Sequence, residues 1–217
     1  VAAIVNERKE NGNYSSFNDF MQRVDLRSAN KRTIESIVAA GGFDLFDIKR
    51  SQYFAKTNND STYIEDMIKF GNKVQASLNS SQFDMFGDMK EASVKSPNPP
   101  DVDPWGTMQL LSKEKEVVGI YLSGHPLDDY QLELKYFCDI NLKILNENLQ
   151  QLPEREYAFI GLASSAANLE SRRGTKYGVI DLQDMEGQME FRLFGEHYLK
   201  FMHFLVPGNF LYVKGKV

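Results

Sequence analysis

The sequence is poor in the residues that build cross-linked or metal-bound folds. It has one cysteine, Cys138, and three histidines among 217 residues. A single cysteine excludes an internal disulfide framework, and so few ligands argue against a structural zinc site. The apolar runs are too short to span a bilayer, and the first residues lack the basic-then-apolar order of a signal peptide. These absences predict a cytoplasmic protein without membrane contact or a metal.

The charge is modest and unevenly spread. The net charge is −5, which argues against a protein that coats DNA along its whole surface. Residues 1–50 hold eight basic and seven acidic residues, residues 51–153 hold nine and fifteen, and residues 154–217 hold eight of each. The acidic excess lies in the middle, so each end is able to present a local basic patch.

Helix-capping signals dominate the beginning of the chain. Ser16 is followed by Asp19, and Thr62 by Glu65, the spacing of a capping box. Asn30 is a good N-cap for a helix over 31–40, which Gly41 ends in the left-handed conformation. This region therefore predicts short helices.

The middle of the chain changes character. Three prolines fall within Pro97–Pro100, where neither a helix nor a central strand tolerates them. The region 79–107 predicts an exposed linker. A helix is expected to follow Ser112 and to end near Gly124, and Pro126 suits the first turn of the next helix.

After Pro153 the apolar period changes to two, which is typical of strands. Strands are predicted over 157–167, 176–183, 188–194 and 210–217, with a helix over 196–204 before the last strand. This order is that of an OB barrel without its final strand.

Two sequence motifs carry a family resemblance. The stretch Tyr121-Leu122-Ser123-Gly124-His125-Pro126-Leu127-Asp128 follows the block Ala39-Ala40-Gly41-Gly42-Phe43-Asp44. In this order they closely resemble the alpha subunit of bacterial DNA polymerase III, the C-family replicative polymerase. The resemblance covers most of the chain and implies a C-terminal fragment of that subunit. It leaves open whether the parent is the replicative enzyme or an error-prone paralogue.

The resemblance and the periodicities together predict an α+β fold in four parts. Residues 1–78 are expected to be helical and to end a tandem helix-hairpin-helix region, and residues 79–111 to form a linker with a clamp-binding motif. Residues 112–153 are expected to form a helical bridge, and residues 154–217 an incomplete OB-fold barrel.

A sliding-clamp motif is the first functional hypothesis. In the resembled family such a motif binds the clamp, the beta subunit, and here it corresponds to Gln82, Phe83, Asp84, Met85 and Phe86. Apolar side chains on an extended segment fill pockets in a groove, and a glutamine fixes the register. The alternative is that these side chains fold back on the neighbouring helices.

Nucleic-acid contacts are the second hypothesis. Lys31 and Arg32 begin a helix, and the first barrel loop and its flanking strands supply cations and one stacking ring. The candidate residues are Lys31, Arg32, Arg172, Arg173, Lys176, Tyr177 and Arg192. Phe159 and Phe191 are expected in the core instead. The alternative for each cation is a solvated surface.

No catalytic residue is predicted within this chain. His125 has no relay partner nearby and is expected to satisfy backbone groups in a turn. The resemblance implies a parent DNA-directed DNA polymerase, a nucleotidyltransferase that uses magnesium bound upstream of this region. The expected partners are duplex and single-stranded DNA, the clamp and other holoenzyme subunits. A free-standing OB-fold protein that binds single strands, or a purely structural spacer, remains an alternative.

Overall fold

The computed structural model describes residues 2–80 and 95–217. The chain forms two compact units, residues 1–123 and residues 124–217. No helix in the described ranges is both long and apolar enough to cross a membrane.

The described part of the first unit is helical. Its helices are α1 (Ala2–Asn11), α2 (Phe17–Arg23), α3 (Lys31–Ala39), α4 (Arg50–Phe54), α5 (Tyr63–Ser80) and α6 (Thr107–Val118). Aromatic rings form the centre of the core: the Phe17 ring lies 4.8 Å from that of Tyr53 and 5.2 Å from that of Phe43, both edge to face. Edge-to-face rings interact favourably beyond the area that they bury, so these contacts hold the short helices together.

The predicted capping signals of this unit are confirmed. The Ser16 hydroxyl accepts from the backbone N–H of Asp19 at 3.1 Å, and the Asn30 side chain accepts from that of Thr33 at 3.0 Å. Thr62 and Glu65 bond reciprocally at 2.8 and 3.3 Å. Gly41 ends α3 with a φ of +81°. Each cap satisfies donors or acceptors that a helix end leaves open.

Residues 95–106, the described part of the predicted linker, form no helix or strand and none of them is buried, but two of them contact α4. The Gln52 side chain donates to the Pro100 carbonyl at 2.8 Å, and the Trp105 ring lies 5.3 Å from that of Phe54. Helix α6 also begins at Thr107 rather than after Ser112, because the prolines end at Pro104. It ends at Val118, where Gly119 has a φ of +86°.

A buried carboxylate joins the end of this unit to its helices. Glu114 on α6 is fully buried, and it accepts from Arg50 Nη1 at 2.8 Å and from the backbone N–H groups of Leu122 and Ser123 at 2.7 and 2.9 Å. The Ser123 hydroxyl is a fourth donor. Burial raises the pKa of Glu114, but the bonds from Ser123 and Arg50 outweigh it and lower the pKa to about 2.

Residues 124–217, described throughout, contain a four-stranded antiparallel sheet and short helices. The strands are β1 (Glu156–Glu170), β2 (Lys176–Gln183), β3 (Gln188–Leu193) and β4 (Phe210–Lys216), in the order β3-β2-β1-β4. The helices are α7 (Gln131–Phe137), α8 (Leu142–Asn148) and α9 (Gly195–Phe201), with single 3-10 turns at Asp128–Tyr130 and Met202–Phe204. The four predicted strands are confirmed, with ends shifted by at most three residues.

The long strand β1 makes the sheet curl. Its first half pairs with β4 and its second half with β2, and the register shifts between Ala163 and Ser165. Such a bulge bends a strand and increases its twist. The result is a curled half-barrel consistent with an incomplete OB fold, which confirms the predicted α+β class.

One face of the sheet is closed by the core of the second unit. Phe159, Ile180 and Leu182 pack there against Leu142 of α8 and Tyr198 of α9. The β2–β3 turn is fixed by the buried Asp184 carboxylate, which accepts from the backbone N–H groups of Leu142, Glu186 and Gly187 at 2.6–2.8 Å. Along β2 and β3 the opposite face, which we call the free face, stays at least partly exposed, whereas in the first half of β1 the residues of both faces are buried.

Glu114→Gln should lower the free energy of unfolding by about 3 kcal/mol, because an amide NH2 group would meet the backbone N–H donors of Leu122 and Ser123 and Arg50 would keep only Asp44 as an ionic partner. Since the folded pKa lies below the unfolded value of about 4.3, the wild-type stabilisation is full above that value and is lost as the pH falls toward 2. Measured by urea unfolding, the free energy of unfolding of the variant should fall less between pH 7 and pH 2 than that of the wild type.

The control is Glu116→Gln. Glu116 pairs with Lys113 at 2.9 Å, but its side chain is 66% exposed, so the change should stay below about 1 kcal/mol. Equal effects of the two variants would contradict a stabilising role for the Glu114 network.

Candidate nucleic-acid interface

The β1–β2 loop presents cations at the tip of a tight turn. The Ser171 N–H donates to the Thr175 carbonyl at 2.9 Å, the Ser171 hydroxyl accepts from the Thr175 N–H at 3.1 Å, and Gly174 has a φ of +77°. Arg172 and Arg173 lie at this tip, and both are exposed. The loop is thus closed by its own hydrogen bonds, and neither arginine is needed to hold it.

The strand register places Tyr177 and Arg192 on the free face of the sheet. Side chains alternate along β2, so Ile180 and Leu182 point into the core while Tyr177 and Val179 point away from it. Val179 pairs with Arg192 of β3, so Arg192 shares the face of Tyr177. Lys176, the first residue of β2, is exposed beside the loop, but alternation along the strand puts it on the side of Gly178 and Ile180.

Glycine at position 178 keeps α9 on the opposite side of β2. A Cβ atom there would lie 2.3 Å from the Leu205 side chain and 3.2 Å from the Tyr198 ring. The segment after β3 packs directly on the backbone at this point. Tyr177 is thereby left on the uncovered face.

Phe194 is a neighbour of the site that the sequence-based prediction missed. Its ring stacks on that of Tyr177 at 5.2 Å with 22° between the planes, and the residue is 55% exposed. The register pairs Gly178 with Leu193, which puts residues 177 and 194 across from each other. The sequence pattern identified Phe194 only as the end of a strand; its position as the cross-strand neighbour of Tyr177 was the available signal.

The rings predicted to be core residues are in the core. Phe159 is buried, and its ring stacks on that of Phe191 at 5.5 Å on the closed face. The aromatic residues of this unit therefore divide between the two faces, and the pair Tyr177 and Phe194 is on the free one.

Carboxylates neutralise part of the free face. Arg192 Nε donates to Glu190 at 2.7 Å, with both side chains well exposed. Asp181 accepts from the Ser165 hydroxyl at 2.6 Å. Because exposed ion pairs contribute little, Arg192 is able to exchange Glu190 for another anion at small cost.

In the first unit, Lys31 is held in ion pairs, whereas Arg32 lines an open groove. Lys31 Nζ lies 2.8 Å from Glu65 and 3.6 Å from Glu35, and the bond to Glu65 raises the pKa of Lys31. Arg32 is exposed and lines an open groove of about 420 Å³ along one side of α3. Arg32 is the better placed of the two for a phosphate.

His125 lies in a turn, as predicted. Its ring atom Nδ1 accepts from the backbone N–H of Leu127 at 3.1 Å, and the backbone N–H of His125 donates to the Asp128 carboxylate at 2.6 Å. Among the described residues, no group of three or more His, Cys, Asp or Glu side chains is arranged to hold a metal ion. The proposed clamp motif, residues 82–86, lies outside the described residues.

Comparisons with known proteins show which proteins the chain is similar to. A helix-hairpin-helix motif model matches residues 1–53. The DNA polymerase III alpha subunit of Borreliella burgdorferi is 31% identical over 222 residues, that of Vibrio cholerae 29% over 218, and that of Escherichia coli O157:H7 27% over 219. This chain is similar throughout to a segment of DNA polymerase III alpha subunits.

Each match covers all of this chain and 18% of the relative. The chain therefore spans about a fifth of the length of these alpha subunits. Its helix-hairpin-helix segment coincides with α1–α4 of the first unit, and the remaining similarity extends across the sheet of the second unit.

The division of faces predicts unequal effects of two Phe→Ala changes. Phe194→Ala should cost about 1 kcal/mol or less, because the ring is half exposed and loses mainly its stacking partner. Phe159→Ala should cost about 3–5 kcal/mol through the cavity that it leaves. Denaturant unfolding of both variants measures this, and equal losses would contradict the assignment of Phe194 to the free face.

Proposed function

We propose that this chain is a non-catalytic segment of a replicative DNA polymerase III alpha subunit that binds DNA and the sliding clamp. The similarity to named alpha subunits along the whole chain carries this proposal. The parent would be a cytoplasmic DNA-directed DNA polymerase that uses template, primer, deoxynucleoside triphosphates and magnesium. In this proposal the chain binds DNA and the clamp, and the catalytic residues of the polymerase lie in other parts of the parent.

The free face of the sheet is the proposed contact for the single-stranded template. Single strands are held by cations that follow the backbone and by rings on which bases stack. Arg172 and Arg173 lie at the end of the face, with Lys176 beside the same loop, and Arg192 lies on the face beside the stacked rings of Tyr177 and Phe194. The arrangement supplies both interactions at one place.

Duplex contact is proposed for the first unit. Helix N-termini and nearby cations suit phosphate, and the helix-hairpin-helix match covers this region. Arg32 at the start of α3 is the residue with the clearest access. Lys31 would first have to leave Glu65.

Clamp binding is proposed for residues 82–86 from their sequence. Support comes from the two flanks, which belong to the same unit. On one side the α5 residue Gln75 donates to the backbone carbonyls of Met21 and Val24 at 3.2 and 2.8 Å. On the other side Pro100 is held by Gln52. A segment anchored at both ends carries its bound partner close to the unit that anchors it.

Tethering is the proposed mechanism. Each of the three contacts is weak by itself, but linking them raises the effective concentration of each site for its ligand. Moderate affinity for the clamp, the duplex and the template then suffices for processive synthesis. Other holoenzyme subunits would act on the same assembly.

A free-standing protein that binds single strands is the second candidate, because the cations and stacked rings of the sheet require no clamp. Such a protein would bind single strands through the same face of the sheet, but it would have no affinity for the clamp. The two experiments below separate these functions.

The first experiment changes Arg172, Arg173 and Lys176 to Glu and measures binding of an oligo(dT) strand by fluorescence anisotropy. The affinity should fall at least about tenfold at low salt, because fewer phosphates are neutralised and fewer counterions are released on binding. The slope of log affinity against log salt should flatten by about 0.7 for each phosphate that the variant no longer neutralises.

Two variants control this result. Glu190→Gln frees Arg192 and should raise the affinity about twofold at low salt and less at high salt. Changing Lys200, Lys214 and Lys216 to Glu gives the same net charge away from the loop and should have a smaller effect. Equal losses from the two triple variants would show that net charge, rather than this face, governs binding.

The second experiment is calorimetric titration of the whole chain into a bacterial sliding clamp. We expect a dissociation constant on the order of micromolar, because ordering a segment opposes binding. The triple change Gln82→Ala, Met85→Ala and Phe86→Ala should abolish the heat, while the loop variant of the first experiment should retain it. No heat with an active clamp would reject the clamp-binding function and favour the second candidate.

A further inference from the structure

The free face of the sheet changes its charge along β2 and β3. At the loop end, the Tyr177 ring lies beside that of Phe194, and the next side chains of this face, Val179 and Arg192, form a cross-strand pair. These two rows, which we call the binding half, adjoin the β1–β2 loop with its two exposed arginines. They supply the rings and the cations that a single strand needs.

The next row of the same face is acidic. Asp181 of β2 lies directly opposite Glu190 of β3, and side chains with like charges at opposite positions repel each other. Arg192 Nε donates to Glu190 at 2.7 Å, whereas Asp181 accepts from the neutral Ser165 hydroxyl at 2.6 Å. One arginine therefore balances one of two carboxylates, and this row, which we call the carboxylate row, keeps a net negative charge.

The fold limits the binding half on its other sides. β3 is an edge of the sheet, and β4 pairs with the first half of β1, where both faces are buried. The second half of β1 pairs with β2, so the exposed surface is three strands wide, about 10 Å between the axes of the outer strands. A single strand that remains on the sheet therefore lengthens its contact by crossing the carboxylate row.

The residue spacing along β2 gives the length of the binding half. Tyr177 and Asp181 are four residues apart, which corresponds to about 13 Å in a strand. A stacked single strand rises about 3.4 Å per nucleotide, so this distance accommodates about four nucleotides. A further phosphate would lie over Asp181 and Glu190, within the distance at which salt leaves charges largely unscreened.

We propose that Asp181 and Glu190 end the single-strand site, so that the free face holds on the order of four nucleotides at its loop end. The two carboxylates are specificity-determining residues, because they bind no part of the strand and repel the phosphates that follow the held segment. The boundary rests on the proposed binding of single strands, and it adds the length of the bound segment to that function.

Binding is measured with the whole chain and oligo(dT) strands from about three to about twelve nucleotides long, by fluorescence anisotropy in buffer without divalent cations. For the wild type, the slope of log affinity against log salt should steepen with strand length up to about four nucleotides and then stay constant. Longer strands should gain affinity only from the larger number of ways in which they place a segment on the site.

The variant Asp181→Asn with Glu190→Gln removes both charges and leaves an acceptor oxygen for the Ser165 hydroxyl. The longest strand should bind it about fivefold more tightly than the wild type, because the repulsion of its phosphates disappears and Arg192 is freed. The shortest strand should gain only about twofold, from Arg192 alone. Circular dichroism checks that the variant folds; if it does not, the length series of the wild type decides alone.

The matched control is Glu147→Gln with Glu154→Gln. It makes the same change of net charge at two exposed positions outside the free face, on α8 and before β1. Its affinity for short and long strands should rise by the same factor, below about twofold, because these charges are distant from the bound strand.

The outcomes separate this boundary from the proposed function. No binding of any strand by the wild type would reject both. Binding with a salt slope that steepens up to the longest strand would keep the function and overturn the boundary. An equal gain of short and long strands in the carboxylate variant would show that the two residues act through net charge, which would also overturn it.

Discussion

The carboxylate of Glu114 is the interaction on which the first unit depends. It is fully buried and gathers Arg50 of α4 together with the backbone of Leu122 and Ser123. A buried charge is tolerated only with such complete pairing. One residue thus fastens α6 to the helical core and fixes the last residues of the unit, so the segment after the proposed clamp motif returns to the same body that precedes it.

The second unit owes its proposed function to an asymmetry between two faces of one sheet. Helices α8 and α9 cover one face, and Gly178 lets the chain after β3 approach β2 closely enough to seal it. The other face keeps a stacked pair of rings and an exchangeable arginine, with two more arginines at its end. Because strand alternation assigns each side chain to a face, the placement of Tyr177 and Arg192 follows directly from the register.

Much of this could be predicted from the sequence, because capping and strand alternation are local. Ser16, Asn30 and the Thr62–Glu65 pair act within a turn of themselves, and β2 has the predicted ends. The missed features depend on contacts between distant positions. Glu114 and Arg50 are 64 residues apart in the sequence. The β2–β3 register, which brings Phe194 opposite Tyr177, is what makes Phe194 part of the site. Likewise, the prolines within 97–100 marked an irregular segment correctly but gave no sign that it contacts α4.

In the proposed function, one chain holds the clamp and DNA at the same time. The most direct measurement is the dwell time of the whole chain on single molecules of primed DNA, with and without a bacterial sliding clamp trapped on that DNA. Linked sites predict a dwell time at least about tenfold longer with the clamp. A dwell time that the clamp leaves unchanged, with DNA binding itself intact, would contradict the account.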